Sequence, residues 1–595
     1  MTRTLTLVAA CLLALLVTHP ASAKSLAPEW QSRMTTTADQ LALEPATAVI
    51  LDASAEKKDS CIPGAIKVDW KDFYTPEHAL LPAEERKARF AALGLTGNER
   101  VIIYDGGLQD GGASVIFWLL DSAGHDNVSI LQGGWPAYER AGLPLAHQYG
   151  KKDPASFAAA AREARAPRIP DVMEFFGDYD LRILDPRSDE EYLGWALHGE
   201  SRGGHTRGAI NFAPDWAYTP AGTLKPEHVI RELALQKGLS PEKHFLVYSN
   251  WDTRGTQLYY LLRLLGYERV DHAAFTFNDW TAIDVLPVSS AKNWKSLVSP
   301  QWIDQLIRTG NAPTFKGGKF AVYEVDWSDV KDAKAYQAGH IPGSFHLNTF
   351  TVENKDNFYD IHPTKLLFEK LASQGIDKDT TVILYGMGTQ SIAATNVFWV
   401  LTMAGVEDVR LMNGNFDRWR ALGLPVETKV NLPKAVPSFG RTDLAHPEYM
   451  VSTEEAKKIL ADPNGRLASV RSWEEHSGKV VRHHYIKAKG EPYGACWARA
   501  GFGNNKSDLS FYKDVDGSYR SYTEVAHMWV DLDLFPHNRV AFLCGTGPRA
   551  TTAWFFSYLM GWPNSAVYDS GWYGWSQGME VSPNPAQNIW EATHK

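Results

Sequence analysis

Four short runs of β-branched and aromatic residues recur along the chain, and each run ends abruptly at a loop. A stretch with helical spacing of apolar positions follows each loop, and another short apolar run follows that stretch. Strands that alternate with helices in this way predict βαβ units and a parallel sheet. The four runs with their loops are VIIYDGGLQDG, FLVYSNWDTRG, VILYGMGTQSI and VAFLCGTGPRA.

Three markers surround these loops in the same order. The first residue of the loop is, in turn, Asp105, Ser249, Gly386 and Cys544. A turn-like element precedes each loop and carries the glycines Gly64, Gly208, Gly343 and Gly494. A third marker follows three of the loops, as Gly134-Trp135, Asn415-Phe416 and Gly571-Trp572, and the second repeat keeps only a trace of it near Asn278. Ordered markers at near-constant spacing predict one domain per repeat.

The expected fold class is therefore α/β, with four tandem domains that are each a small parallel β-sheet flanked by helices. Segments rich in Pro, Lys, Ser and Ala predict linkers near residues 150–167, 286–300 and 431–447. The domains are then expected at residues 24–150, 168–285, 300–430 and 447–595.

The first 23 residues have the pattern of a secretory signal peptide. Arg3 precedes the apolar run LTLVAACLLALLV, and the small residues Ala21 to Ala23 form a cleavage site. The run is too short to span a bilayer comfortably, so we expect export to the periplasm by a cleavable signal and no membrane insertion. A lipid anchor at Cys11 is the alternative, because VAAC resembles a lipoprotein cleavage box.

Charge and cysteine content narrow the function classes. The formal net charge of −9 over 595 residues gives no reason to expect a nucleic-acid partner. Removal of the signal leaves Cys61, Cys496 and Cys544, which are too few for a disulfide framework in an exported chain of this length. No metal-ligand cluster, P-loop or dinucleotide fingerprint occurs, so we expect neither a metal nor another cofactor.

The elements CGTGPRA, GHIPGS and YDSGWYGW resemble those of the rhodanese (thiosulfate sulfurtransferase) superfamily, and the resemblance covers nearly the whole mature chain. VRSWEE, YIKAKGE and CGTG of the fourth repeat occur in the same order as in the catalytic domain of multidomain periplasmic bacterial rhodaneses. VIIYDGG is similar to the inactive half of two-domain sulfurtransferases, in which aspartate replaces the cysteine. The resemblance implies transfer of sulfane sulfur from thiosulfate or a similar donor to cyanide or a thiol, with a protein as a further acceptor.

The loop chemistry leads to the same reaction. A reactive cysteine needs positive potential, and backbone N–H groups and the following helix N-terminus supply it to Cys544. The expected cradle for its persulfide consists of Gly545, Thr546, Gly547, Pro548, Arg549 and Ala550. Arg549 either holds an anionic donor or folds back to brace the loop. The spacing Cys-x4-Arg is one residue shorter than the Cys-x5-Arg loop of cysteine phosphatases, which favours sulfur over phosphate.

The substrate-binding candidates are Arg549, Arg482, Lys487 and Trp572. By resemblance, Arg471 takes the place of an arginine that braces the fold. Glu475 stands where two-domain relatives carry a substrate arginine, so the resemblance leaves the donor open. His483 and His484, with Lys487 and Lys489, either line the mouth or form a solvated surface.

Domains one to three are predicted to be inactive, because Asp105, Ser249 and Gly386 cannot form persulfides. The second loop keeps an arginine, Arg254, and is a candidate for anion binding without turnover. Two further functions remain as alternatives. One is a non-catalytic scaffold that binds a sulfur, selenium or redox partner, and the other is a thiol oxidoreductase that uses Cys544 with Cys496.

Overall fold

The computed structural model describes residues 34–577, except residues 45–46, 57, 108–109, 220–221, 389–390, 502–507 and 515. The predicted signal peptide and Cys11 lie outside the described residues. Within this range, the helices are too short or too polar to cross a membrane.

The first repeat forms a five-stranded parallel sheet in the order β1–β5–β4–β2–β3. Its strands are β1 Thr35–Thr36, β2 Val49–Asp52, β3 Ile66–Lys67, β4 Val101–Tyr104 and β5 Val128–Leu131. Its helices are α1 Ala38–Leu41, α2 Ala83–Ala92, α3 Gly112–Ser122 and α4 Gly134–Arg140. The strands are almost wholly buried, as expected for a parallel sheet covered on both faces.

The second repeat contains three neighbouring parallel strands in the order β10–β9–β6. Its strands are β6 Leu181–Asp185, β7 His205–Thr206, β8 Ile210–Asn211, β9 His244–Ser249 and β10 Val270–Thr276, and β11 Val288–Ser289 pairs with β7. Its helices are α5 Ile169–Phe175, α6 Asp189–Leu193, α7 Glu227–Gln236, α8 Arg254–Leu264 and α9 Phe277–Thr281.

The third repeat has a five-stranded parallel sheet in the order β12–β18–β17–β13–β14. Its strands are β12 Leu297–Val298, β13 Phe320–Asp326, β14 Phe345–Asn348, β15 Glu353–Asn354, β16 Asp360–Ile361, β17 Thr381–Tyr385 and β18 Val409–Met412, with β15 and β16 forming a separate antiparallel pair. Its helices are α10 Pro300–Thr309, α11 Lys334–Ala338, α12 Thr364–Ser373, α13 Ser391–Ala404 and α14 Phe416–Ala421.

The fourth repeat has the same sheet order again, β19–β23–β22–β20–β21. Its strands are β19 Met450–Val451, β20 Gly465–Ser469, β21 Cys496–Trp497, β22 Arg539–Leu543 and β23 Ser565–Tyr568. Its helices are α15 Thr453–Ala461, α16 Trp473–His476, α17 Tyr522–Val530, α18 Ala550–Met560 and α19 Gly571–Ser576. Short 3₁₀ turns occur at Trp70–Phe73, Glu163–Arg165, Pro214–Ala217, Trp294–Ser296, Thr349–Thr351, Lys355–Asn357 and Pro447–Tyr449.

The glycine marker before each loop is a tight turn in all four repeats. The marker glycines have φ angles of 77°, 79°, 73° and 88°, at Gly64, Gly208, Gly343 and Gly494. The N–H of the following residue closes each turn, with N–O distances of 2.9 to 3.0 Å. Only glycine adopts this left-handed conformation without a steric cost, so the turn explains why the sequence repeats the residue.

The third domain begins earlier than expected. Leu297 and Val298 form β12 and are buried against β18, although the predicted domain starts at residue 300 and the segment 286–300 was predicted to be a linker. Burial of this strand in the core overrides the polar composition of the residues before it. β11, Val288–Ser289, which pairs with β7 of the second repeat, also lies beyond the predicted end of that domain at residue 285. The described strands of the first and fourth repeats lie within residues 24–150 and 447–595.

The chain divides into two compact units. The first unit comprises Met1–Pro186 and Phe212–Trp280, and the second comprises Arg187–Asn211 and Thr281–Lys595. The first therefore holds repeat one and most of repeat two, and the second holds repeats three and four.

Within each unit, the helices that follow the loops pack in pairs. In the first unit, Ser114 of α3 and Thr256 of α8 share a hydrogen bond of 2.9 Å. In the second unit, Thr395 of α13 and Thr552 of α18 share one of 3.0 Å. Every residue of α13 is buried, in keeping with its mostly apolar sequence, and the polar side chains of Thr395 and Asn396 are hydrogen-bonded.

Candidate active site

Cys544 lies at the carboxyl end of β22, the middle strand of the fourth sheet. β22 ends at Leu543, and α18 begins at Ala550, so residues 544–549 form the strand-to-helix loop that the sequence predicts. The cysteine is 2% exposed. Ligands of parallel α/β sheets bind at this edge of the sheet.

The loop backbone supplies N–H groups to a bound sulfur. Among the described residues, the N–H groups of Gly545, Thr546 and Gly547 donate no hydrogen bond to protein. Gly547 has a φ of 90°, and a Cβ added there would lie 2.5 Å from Oδ1 of Asp569. The tight, left-handed turn therefore requires glycine at position 547.

One member of the predicted cradle does not contribute its N–H. Ala550 donates its backbone N–H to the carbonyl of Gly547, with an N–O distance of 2.8 Å. That bond forms a turn within the loop. The expectation that the N–H of Ala550 binds the persulfide is therefore corrected. Pro548 has no N–H to give.

Arg549 folds back beneath the loop. Its Nη1 donates to Oε2 of Glu475 at 2.7 Å, and its Nη2 donates to Oε1 at 3.1 Å. Arg549 is 4% exposed, so this bidentate pair is buried. Of the two roles expected for Arg549, the structure has the bracing one, and the sulfur of Cys544 is also among the groups that act on its guanidinium.

Burial and the charge of the partner shift the pKa values of Arg549 and Glu475 in opposite directions. Burial tends to lower the pKa of Arg549, but the carboxylate of Glu475 outweighs it and raises the pKa above its ordinary value. Burial likewise tends to raise the pKa of Glu475, but Arg549 and Arg471 hold it well below its usual range. Both groups are therefore charged at neutral pH, and the positive charge of Arg549 is largely balanced.

Further charged groups lie behind Glu475. Arg471 donates from Nη1 to Oε1 of Glu491 at 2.8 Å and to the carbonyl of Gly490 at 2.6 Å. His476 lies 3.4 Å from the same carboxylate. Arg471 is fully buried, in agreement with its expected role as a brace of the fold.

Trp572 belongs to the core and not to the substrate mouth. Its side chain is 0% exposed, and its Nε1 donates to the carbonyl of Ala488 at 2.9 Å. Its backbone N–H donates to the carbonyl of Cys544 at 2.8 Å. The prediction that Trp572 contacts substrate is wrong, because a fully buried ring cannot reach a ligand.

The same backbone bond explains the third sequence marker. Trp135 donates to the carbonyl of Asp105 at 2.8 Å, and Phe416 donates to that of Gly386 at 3.0 Å. The marker residue therefore fixes the first residue of the loop in three repeats. The number of residues between the loop and the marker is nearly constant because each bond joins the same two positions of the fold.

The basic candidates differ in their surroundings. Arg482 donates from Nη2 to Oε2 of Glu474 at 2.5 Å. Lys487, Lys489 and His484 are exposed. His483 lies against the loop, since a Cβ on Gly545 would be 3.3 Å from its ring.

Residues of the third domain lie over the mouth of the loop. The ring of Phe358 stacks on that of Tyr573, with centroids 4.0 Å apart. The backbone N–H of Ile361 donates to Oδ2 of Asp569 at 3.2 Å. Asp569 and Tyr573 follow β23 and flank the loop of Cys544.

Sequence reasoning missed Tyr485, although it lies in the quoted YIKAKGE element. Its hydroxyl is 3.3 Å from Oγ1 of Thr546 and 3.0 Å from Nδ1 of His483. Burial, with a further contribution from nearby Cys544, raises the pKa of Tyr485 to about 12. A neutral phenol at the mouth is therefore available as a hydrogen-bond donor at neutral pH.

The loops of the first and second repeats contain carboxylates that accept hydrogen bonds within the loop. In the first, Asp105 accepts from the N–H groups of Gly107 and Ala113 at 2.9 and 3.0 Å. In the second, Asp252 accepts from the hydroxyl of Ser249 at 2.8 Å. In the third, Gly386 provides no side chain, and residues 389–390 of that loop lie outside the described range.

The three described cysteines are free thiols. Cys496 pairs with Ala468 of β20, which in turn pairs with Phe542 of β22. Two strand spacings therefore separate Cys496 from the strand of Cys544, or about 10 Å between Cα atoms, beyond the reach of a disulfide. Burial also raises the pKa of Cys496 to about 12. The fixed sheet register contradicts the Cys544–Cys496 oxidoreductase alternative.

Within the described part of the chain, no three His, Cys, Asp or Glu side chains are grouped so that they could hold a metal ion.

Comparison with known proteins identifies the repeats. The family model described as "Rhodanese-like domain" matches residues 36–141, 170–282 and 313–422. The thiosulfate sulfurtransferase YnjE of Escherichia coli is 32% identical over 401 residues, covering 66% of this chain and 87% of YnjE. The sulfur carrier protein TtuD of Thermus thermophilus is 28% identical and covers 47% of this chain and 93% of TtuD.

Solved structures agree with these matches. The wild-type structure of EanB is 30% identical to this chain with a TM-score of 0.64, covering 70% of this chain and 96% of EanB. The anaerobic ergothioneine biosynthesis enzyme from Chlorobium limicola, in complex with its natural substrate trimethyl histidine, has the same identity and TM-score and covers 69% of this chain. One EanB structure contains a cysteine persulfide in a tetrahedral intermediate state with ergothioneine.

The matched residues fall in the first three repeats. The fourth repeat shares the glycine turn with all three, and it shares the sheet order and the loop bond with the first and third. The chain therefore belongs to the rhodanese-like family and is a multidomain member of the sulfurtransferases.

Proposed function

We propose that the protein transfers sulfane sulfur through a persulfide on Cys544. The Cys544 thiolate attacks the outer sulfur of thiosulfate, forms the S–S bond of the persulfide and releases sulfite with the electron pair of the broken bond. A cyanide ion or thiolate then takes the outer sulfur and returns the thiolate. The N–H groups of the loop stabilise the negative charge on the outer sulfur.

One observation carries this proposal: Cys544 is enclosed by a loop whose N–H groups have no other partner among the described residues. In the first loop, the side chain of Asp105 accepts hydrogen bonds from the N–H groups of Gly107 and Ala113. An anionic persulfide at Cys544 would occupy the same space. A non-catalytic scaffold that binds a sulfur partner would also use these N–H groups, and turnover of an acceptor distinguishes the two functions.

A second acceptor is supported by the spacing of two residues. In the EanB structures, the substituted tyrosine lies 59 positions before the persulfide cysteine, and the substituted threonine lies two positions after it. Tyr485 and Thr546 have the same offsets from Cys544, since 544 − 485 = 59 and 546 − 544 = 2. We therefore include trimethyl histidine among the candidate acceptors. Its ring C–H would be replaced by a C–S bond as the persulfide S–S bond breaks, and the displaced proton would return to the cysteine or solvent.

The test is intact mass after incubation with thiosulfate, followed by acceptor turnover with cyanide or trimethyl histidine. We expect a one-sulfur adduct that cyanide removes as thiocyanate, and no adduct in Cys544→Ser. Cys496→Ser is the matched control and should retain both adduct and turnover. An adduct that persists in Cys544→Ser would overturn the mechanism, and absence of any adduct with several donors would favour the scaffold.

The donor's identity depends on the balanced charge of Arg549. Arg549 is buried and bound to Glu475 through two hydrogen bonds. The remaining basic candidates for an anionic donor are Arg482, which is partly exposed and pairs with Glu474 through one oxygen, and Lys487, which is exposed. Substitution of either by Gln should raise the KM for thiosulfate if it binds the donor. Equal effects on KM for thiosulfate and for a neutral organic persulfide would argue against that role.

Export to the periplasm is part of the proposal and rests on the signal-like residues 1–23. N-terminal sequencing of protein from the periplasmic fraction should begin at Lys24. Recovery of a lipid-modified Cys11 would support the anchored alternative instead.

A further inference from the structure

Residues 358–361 of the third domain place two aromatic rings over the mouth of the Cys544 loop. Phe358 stacks on Tyr573 at 4.0 Å, and Tyr359 lies 6.0 Å from Tyr485. Phe358 is also 6.4 Å from Tyr485. Four rings, two from each domain, therefore form one cluster beside the nucleophile.

The backbone that carries two of these rings is strained. Phe358 has a φ of 50° and Tyr359 a φ of 74°, which is the left-handed region for two consecutive residues with bulky side chains. This conformation is sterically unfavourable for residues with a Cβ. Such strain persists where surrounding structure holds it, and it often marks a functional site.

Two carboxyl groups complete the cluster. Asp569 is 6% exposed, and its Oδ1 receives no hydrogen bond from the described residues. Oδ1 of Asp360 is 3.3 Å from the hydroxyl of Ser570. Neither carboxyl group has a lysine or arginine partner within the described part of the chain. Burial raises the pKa of both, and Asp360 adds to the shift of Asp569.

The aromatic rings and carboxyl groups of this cluster favour a cationic ligand over an anionic one. Aromatic faces attract organic cations within about 6 Å of the ring centroid. A buried carboxyl group without a cation is destabilised in its charged form, and a cationic ligand would relieve that cost. The basic residues nearest the loop, Arg549 and Arg482, are already paired with Glu475 and Glu474.

We propose that this cluster is a subsite for the ammonium group of a cationic sulfur acceptor, a quaternary or protonated amine. The inference rests on the proposed sulfur transfer at Cys544 and assigns the class of its acceptor. Phe358, Tyr573 and the two carboxyl groups hold the ammonium group, while the sulfur-accepting atom of the same molecule points to the persulfide.

The test is calorimetric titration of the full-length protein with trimethyl histidine, compared with imidazole propionate, which lacks the ammonium group. We expect trimethyl histidine to bind, and Asp360→Asn to weaken its Kd by about tenfold or more. The matched control is Asp356→Asn, an exposed acid on the same segment, which should leave the Kd unchanged. Imidazole propionate should bind no better to the wild type than to Asp360→Asn.

The outcomes separate this inference from the proposed function. Persulfide formation on Cys544 without binding of trimethyl histidine would overturn the cation subsite and leave sulfur transfer intact. Binding without any persulfide would overturn sulfur transfer at Cys544 and leave the subsite. If Asp360→Asn does not fold, Phe358→Leu is used, and an unchanged Kd in a folded Phe358→Leu would overturn the proposal.

Discussion

Beneath the loop that holds Cys544, the guanidinium of Arg549 donates two hydrogen bonds to the carboxylate of Glu475. An arginine five residues after a reactive cysteine has two chemically reasonable roles, and the sequence does not choose between them. The partner that decides the role lies 74 residues earlier, on α16. Such a contact exists only after the domain has folded.

Glu475→Gln should destabilise the fourth domain, because it leaves a buried arginine without its counter-charge. Loss of one partner of a buried pair typically costs about 3–5 kcal/mol. The measurement is the urea midpoint of the wild type and the variant, followed by fluorescence. Glu454→Gln, at an exposed surface pair with Lys457, is the control and should shift the midpoint little.

The pair of Arg549 and Glu475 also predicts how the stability of the fourth domain depends on pH. The folded-state pKa of Glu475 is depressed, so its contribution to stability is fully present above its ordinary pKa of 4.5 and is lost as the pH falls toward the folded value. The stability difference between wild type and Glu475→Gln should be constant from neutral pH down to about pH 5 and should shrink below it. A difference that grows on acidification would contradict this assignment.

At the scale of elements, strand, loop and helix act together at each marker. The marker N–H after the loop binds the carbonyl of the loop's first residue in the first, third and fourth repeats. Side chains in that position vary from Asp105 to Gly386 to Cys544, while the backbone bond is retained. The backbone bond therefore preserves the shape of the loop whichever residue stands first in it.

Gly547→Ala should disrupt the loop and slow persulfide formation by about tenfold or more. The added Cβ would lie 2.5 Å from Oδ1 of Asp569, on a residue with a φ of 90°. Gly423→Ala is the matched control, because Gly423 has a φ of 69° and open space around its Cβ. That variant should carry a similar backbone cost and form persulfide at the wild-type rate, measured by mass spectrometry over time.

At the scale of the whole molecule, the fourth domain packs closely against the third. α13 of the third domain and α18 of the fourth pack together, with Phe398 edge-to-face on Phe555 at 5.0 Å. The mouth residues Phe358 and Ile361 also come from the third domain. The third domain, whose own loop begins with Gly386, therefore forms part of the candidate site around Cys544.

Phe398→Ala should lower both the stability of the second unit and the rate of persulfide formation on Cys544. Removing a buried phenylalanine costs about 3–5 kcal/mol. Phe117→Ala is the matched control, since Phe117 packs edge-to-face on Tyr260 at 5.0 Å in the first unit. It should destabilise the first unit and leave persulfide formation on Cys544 unchanged. An equal loss in both variants would contradict the expected difference.

Some of the site was predictable because its signals are local. The strand end at Leu543, the loop at Cys544 and the helix from Ala550 follow from a short apolar run, two glycines and a helical pattern. The assignment of Trp572 to substrate failed for a different reason. The sequence around a tryptophan beside a marker glycine is the same whether the ring points outward or into the core.

The sequence by itself determined the four repeats, their α/β class and the single loop with a nucleophile, because strand patterns, glycine turns and spacing are recorded in neighbouring residues. Only the tertiary structure decided that Arg549 pairs with Glu475, that Tyr485 reaches Thr546, and that Asp360 and Phe358 approach the fourth domain. Those contacts join residues far apart in the chain. Their geometry depends on how whole sheets and helices pack, which residue spacing along one strand does not encode.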